Sequence, residues 1–258
     1  MSDDADLQPL TDRLAELHRG EVLRTVTHTF DGARFRGDPA LGDGAWIALG
    51  GVSGSDRAVA ATWSDLRTAL LGLGRSALVD AEVNHPVLRT LADLLGGEPT
   101  DWPLTALSSP FGSAFTVEAF DRSSAGTLLC LPTASFDGAS TRRLVDHVRT
   151  VGTAFGFSPG ISLNAMNEQT VQATVDVSFD RSEPDRVEAA HACLDELQRV
   201  LWADGFHPYR VGVQTLERLP TWADPFWRTT ARLKHALDPT LTIPPGTTWP
   251  NELVHGRR

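Results

Sequence analysis

Leu7, Leu10, Leu14 and Leu17 recur at helical spacing, which predicts a helix over 6–19 with one apolar stripe, ended at Gly20. The Val- and Thr-rich run 21–30 predicts a strand, the Gly- and Asp-rich run 31–44 its loop, and 46–52 a second strand. Ser55 is placed to cap a helix over 57–71 in which Val59, Trp63, Leu66 and Leu70 share a face. A short strand over 76–81 and a short helix over 86–95 follow. The stretch 96–113 carries Pro99, Pro103 and Pro110 among glycines and serines, and it reads as an irregular join between two halves.

The pattern sharpens after the join. Residues 127–134 predict an apolar strand, and Asp137-Gly138 opens a helix striped by Leu144, Val145, Val148, Val151 and Phe155. Two runs, 161–166 and 170–179, are separated only by Asn167-Glu168-Gln169, which predicts a hairpin. In the second run Val171, Ala173, Val175, Val177 and Phe179 alternate with Gln172, Thr174, Asp176 and Ser178, so one face is apolar and the other polar. Pro184 suits the first turn of a helix lined by Val187, Ala190, Leu194, Leu197 and Leu201. The whole predicts an α+β fold, a large and mostly antiparallel sheet with helices on one face in a doubled ferredoxin-like arrangement. The expected division is a body over 1–204, with halves 1–110 and 111–204, followed by a C-terminal segment over 205–258.

Composition narrows the partners. A chain of 258 residues with 41% apolar content can bury a sizeable core, and its formal net charge of -10 repels a phosphate backbone, so nucleic acid is not an expected partner. No run of about 18 apolar residues could span a bilayer, and the opening Met1-Ser2-Asp3-Asp4 is unlike a signal peptide, so a cytoplasmic location is expected. Cys130 and Cys193 lie on apolar elements without CxxC spacing and read as buried free thiols. The histidines His18, His28, His85, His147, His191, His235 and His255 form no HxxxH or HxH pair, so no metal site is expected, and no GxSxG elbow occurs. The acidic groups Asp3-Asp4 and Glu183 with Asp185 read as solvated charge and helix N-terminal charge.

The tail is the most distinctive stretch. It holds the single tyrosine, Tyr209, directly before Arg210, then an amphipathic run and LKHALDPTLTIPPG over 233–246. Together with LTDRLAELHRGEVLRTVTHTFDGARF over 10–35, and the block from Leu129-Cys130-Leu131-Pro132 through Asn167-Glu168 to Phe179, this tail resembles the cap domain and C-terminal return segment of FAD-linked oxidases of the vanillyl-alcohol oxidase and p-cresol methylhydroxylase type. The resemblance places that family's FAD-binding domain N-terminal to the cap, and a sequence opening at Met1 is expected to lack it. The clusters Gly50-Gly51-Val52-Ser53-Gly54, Gly72-Leu73-Gly74 and Gly96-Gly97 read as turns rather than a pyrophosphate loop. Glu168-Gln169-Thr170-Val171 has no histidine where some members attach their flavin, so covalent attachment there is excluded.

The resemblance implies roles for a few residues. Arg210 would stabilise the phenolate of an aromatic substrate and Tyr209 would donate a hydrogen bond to it, since a fixed guanidinium lowers a phenol's pKa. Alternatively the pair opens a strand and Arg210 meets a nearby carboxylate. His207 is either a proton acceptor or a surface residue, and Trp222, Trp227 and Trp249 are either core or a surface for a substrate or another chain. Two functions follow as expectations. One is a cap subunit of a split FAD-linked oxidoreductase, completing its site on an FAD-binding partner chain and oxidising a small, aromatic molecule by hydride transfer to a non-covalently held flavin. The other is a flavin-free small-molecule binder, or a non-redox, cyclase-like enzyme, derived from that cap and self-associating if no partner covers its aromatic tail.

Overall fold

The computed structural model describes residues 4–32, 46–73, 93, 97–99, 116–210, 212, 215, 225–240 and 242. It divides into two compact units, Met1–His207 and Pro208–Arg258. The strand expected over 76–81, the helix over 86–95 apart from Asp93, and the join over 96–113 apart from 97–99 lie outside the described residues.

In the first unit a 3-10 turn, Asp4–Asp6, leads into α1 (Leu7–Arg19), which buries Leu7, Leu10, Leu14 and Leu17 as the spacing predicts. The next strand begins later than expected, because residues 20–23 turn back onto the helix. The N–H groups of Val22 and Leu23 both donate to the Leu17 carbonyl, and Leu23 is buried. A backbone spent on those bonds cannot join a ladder until β1 (Thr27–Asp31), which pairs antiparallel with β2 (Trp46–Gly50). Helix α2 (Asp56–Leu70) starts where Ser55 accepts from the Ala58 N–H, and α3 (Val117–Arg122) is capped in the same way by Thr116.

The run expected as one strand over 127–134 is two pieces, β3 (Ala125–Cys130) and β4 (Thr133–Ser135). Both pair with β6 (Thr170–Asp180), and the register carries straight across the gap, from Cys130 opposite Val175 to Thr133 opposite Gln172. The interruption is chemical. Pro132 accepts from the Ala173 N–H through its carbonyl but has no N–H to return. Helix α4 (Gly138–Ala154) begins at Asp137, whose carboxylate accepts from the Ser140 N–H at 2.7 Å. Strand β5 (Gly160–Ala165) joins β6 in the expected hairpin, its turn held by the Asn167 side chain accepting from the N–H groups of Gln169 and Thr170. Helix α5 (Pro184–Ala203) carries proline in its first turn.

All pairings are antiparallel, in the order β2-β1-β5-β6-β3 with β4 also on β6. The fold is α+β, as the alternation and helical stripes indicate. Helices α4 and α5 lie on one face, and α1 packs against α4. That face of β6 contributes Val171, Ala173, Val175, Val177 and Phe179, and α4 meets it with Leu144, Val145 and Val148, all fully buried. Each buried Val, Leu or Phe among them stabilises the fold by about 1.5–3 kcal/mol relative to exposure. At one end of the layer Arg149 reaches Asp4 at 2.6 Å and Asp31 at 3.2 Å, Arg142 reaches Asp4 at 2.8 Å, and the Trp46 indole N–H donates to Asp4. Burial pushes the Asp4 carboxyl up, but these bonds and the two guanidinium charges hold it below its usual range.

Candidate functional site

The strand registers fix which side chains stand on the sheet face away from the helices. In β6 these are Gln172, Thr174 and Asp176, facing Asn164, Ser162 and Gly160 of β5. Asn164 and Ser162 in turn stand opposite His28 and Phe30 of β1. The result is a polar band across the central strands. His28, Asn164, Gln172 and Thr174 are half-buried, while Ser162 and Asp176 are only 5% and 8% exposed. Leu129 lies on the far side of Asp176, opposite it on β3.

Two features order this band. His28 Nδ1 lies 2.7 Å from Asn164 Oδ1, and the His28 ring stacks on Phe30 at 6.1 Å with planes 13° apart. An amide oxygen only accepts, so Nδ1 carries the proton and a neutral His28 presents Nε2 as an acceptor. The second feature is a carboxylate seated over bare backbone, since Asp176 occupies space that only a glycine at 160 leaves open.

The residues singled out in the tail are distributed as follows. His207 closes the first unit. Helix α5 ends at Gly205, whose φ of +85° allows the Phe206 N–H to reach the Leu201 carbonyl, a Schellman-type ending that buries Phe206. Arg143 then lies over the Phe206 ring, and the His207 carbonyl accepts from both the N–H and the hydroxyl of Thr133 at 2.8 Å, leaving the His207 side chain exposed. Beside it, Thr133, Ser140, Arg143, Asp204 and Phe206 line a shallow polar recess of about 280 Å³. Its charges are already paired: Asp204 meets Arg143 and His147 at 3.0 Å each, and the hydrogen bond from His147 foremost holds its carboxyl below the usual range.

Tyr209 and Arg210 open the second unit, both exposed, Tyr209 at 44%. Neither side chain has a hydrogen-bond or ion-pair partner among the described residues, so no described carboxylate takes up Arg210. Trp222 and Trp249 lie outside the described residues, and of Trp227 only the backbone, within α6 (Pro225–Leu237), is described.

Helix α6 explains part of the tail motif. Lys234 and Asp238, both nearly fully buried, form an ion pair, and Asp238 also accepts from the Thr242 N–H at 2.8 Å, so Asp238-Pro239 ends the helix and fixes its exit. Another stripe of the helix carries exposed apolar side chains: Phe226, Leu233 and Leu237 are 65%, 57% and 85% exposed.

Before α2 the Gly51 carbonyl accepts from the Thr25 hydroxyl, and Ser55 itself occupies the helix N-terminus, so the glycine run is a turn, with no cradle of N–H groups. No group of three His, Cys, Asp or Glu among the described residues could hold a metal, and no described helix is long and apolar enough to cross a membrane. Cys130 and Cys193 are free and buried.

Sequence reasoning names His28 and Asp176 singly but misses the pairing of His28 with Asn164 and the seat of Asp176 on Gly160. Alternation in β6 marked a polar face, but only the pairing of β1 with β5 brings a histidine and an asparagine 136 residues apart onto it.

No protein-family model matches the chain. Among curated proteins, 1'-carboxy-chondrochloren decarboxylase of Chondromyces crocatus is 31% identical over 126 residues, covering 49% of this chain and 23% of that protein. The 4-cresol dehydrogenase [hydroxylating] flavoprotein subunit of Pseudomonas putida is 22% identical over 235 residues, covering 90% and 43%. The chain thus spans less than half the length of the curated relatives it matches. Among solved structures, substrate-bound p-cresol methylhydroxylase superposes with a TM-score of 0.76 at 20% identity, covering 95% of this chain and 50% of that one. The isoeugenol complex of 4-ethylphenol oxidase from Gulosibacter chungangensis gives 0.77 at 17%, covering 98% and 53%. This chain has the fold of the cap domain and C-terminal segment of the vanillyl-alcohol oxidase and p-cresol methylhydroxylase type of FAD-linked oxidases.

Proposed function

We propose that this chain is the cap, or substrate, subunit of a split FAD-linked oxidoreductase acting on a small phenolic molecule, its site completed by an FAD-binding partner chain. The observation that carries the reading is the superposition of nearly the whole chain on about half of two phenol-oxidising enzymes. FAD enters only as the partner's cofactor. The exposed apolar residues of α6 support a partner, since Leu233 and Leu237 on one helix face are costly to leave in water.

In this reading Arg210 holds the substrate oxygen as phenolate and Tyr209 donates a hydrogen bond to the same oxygen. Both side chains are exposed and carry no described partner, as residues awaiting a ligand would be. His207, Trp222 and Trp227 would line the substrate's approach. The test is co-expression with a cap-less FAD-binding chain of this type from the same organism. A complex that co-elutes with flavin absorbance and oxidises p-cresol, and that loses turnover on Arg210→Ala while still assembling, is the expected result. Failure to assemble, or turnover unaffected by Arg210→Ala, counts against it.

A second reading, a flavin-free binder or non-redox enzyme, is favoured by one observation: His28, Asn164 and Asp176 all belong to a single compact unit. Ligand conversion by the colourless chain alone would decide for it.

A further inference from the structure

We infer that His28 is a ligand-binding residue, its Nε2 accepting a hydrogen bond from the hydroxyl of a small aromatic molecule lying on the polar sheet face, with Asn164 as its positioning residue. The inference takes its ligand class from the reading above and concerns the neutral phenol held by this chain alone, a contact distinct from the phenolate that Arg210 would hold in the assembled enzyme.

His28 stands on the strand between β2 and β5, on the face opposite the one that α4 and α5 cover. Its ring is held from two sides, stacked on Phe30 and bonded through Nδ1 to Asn164 at 2.7 Å. The Asn164 oxygen fixes the tautomer, which leaves Nε2 as the ring's open acceptor, without a partner among the described residues. Around it the face offers Leu49 for an aromatic body, and Asn164 and Gln172 for polar edges. An acceptor beside apolar surface selects a donor with an apolar body, which describes a phenol. Asp176 lies two strands away and would keep a competing carboxylate ligand off this face.

The experiment uses the full chain, 15N-labelled and free of flavin, titrated with p-cresol and with 4-methylanisole, which has the same shape without the hydroxyl proton. The expected result has three parts. Neutral His28 is the Nδ1–H tautomer; p-cresol moves the His28 Nε2 resonance while 4-methylanisole does not; and His28→Gln and Asn164→Ala each weaken p-cresol binding about tenfold. Asn164→Ala should also scramble the tautomer, an effect that a loss of stability alone would not have. An Nε2–H tautomer in the wild type, no p-cresol binding, equal binding of the two ligands, or an unmoved Nε2 resonance overturns the inference. No flavin is present in this test, so its failure leaves the partner-chain reading standing, and failure of the co-expression test leaves this one standing.

Discussion

The Asp176 carboxylate lies across the backbone of Gly160, its directly paired neighbour on β5, so closely that a methyl group at position 160 would stand 2.8 Å from both carboxylate oxygens. Gly160→Ala must therefore move Asp176 or the strand, at about 1–3 kcal/mol. Urea unfolding of Gly160→Ala, Asp176→Ser and the double variant should show the alanine tolerated better once the carboxylate is gone. Additive losses would mean that the two positions do not compete for space.

A similar fit joins α1 to α4. The Gly138 N–H donates to Asp12 Oδ1 at 2.7 Å, and a Cβ there would meet the Gln8 carbonyl oxygen at 2.4 Å. Gly138→Ala is expected to push α1 away and lower the thermal midpoint more than Asp12→Asn, which retains an acceptor. Equal midpoints would contradict this packing.

His18 gives stability a pH dependence. Its Nε2 is hydrogen-bonded to the Thr27 hydroxyl at 3.0 Å and burial holds its pKa below the ordinary 6.5, only partly opposed by the Glu168 charge. The unfolded chain therefore takes up a proton before the folded one does. Stability that is full above about 6.5 is lost as the pH falls toward the lower folded value. Unfolding free energies measured through this range should decline less steeply for His18→Gln than for wild type, whatever that substitution costs at neutral pH.

The two thiols should be inert in the native state. Burial, with the neighbouring Cys193, pushes the Cys130 thiol up to about 12, and burial pushes Cys193 to about 11. Ellman's reagent should label neither at mildly alkaline pH and both after denaturation. Rapid native labelling would show that the helix-covered sheet face is open.

Leu237 is the most exposed of the large apolar residues described. Leu237→Ser should change the stability of the isolated chain by no more than about 0.5 kcal/mol yet weaken assembly with an FAD-binding chain. Unchanged co-elution would remove α6 from the partner surface.

The elements legible in the sequence were those whose pattern is local. The stripes of α1, α4 and α5 and the alternation of β6 report burial directly, and the two-faced character of β6 followed from its period alone. Two local rules were overridden by particular bonds. Val- and Thr-rich residues 21–26 did not become strand because Val22 and Leu23 are tied to Leu17, and the strand over 127–134 was split by Pro132. The tail motif was read for its chemistry, and the structure gives Lys234 and Asp238 a local structural role. The His28–Asn164 pair could not be read at all, because strand order is a property of the folded sheet and each residue alone is ordinary.

The seating of β1 between β2 and β5 reaches beyond the ligand face. It staples the earliest hairpin of the chain to one formed more than a hundred residues later, and a two-stranded ribbon has little stability alone. A protease cut between β2 and β3 would therefore release nothing: the pieces would travel as one particle, and two separately expressed fragments should reconstitute it while neither folds by itself.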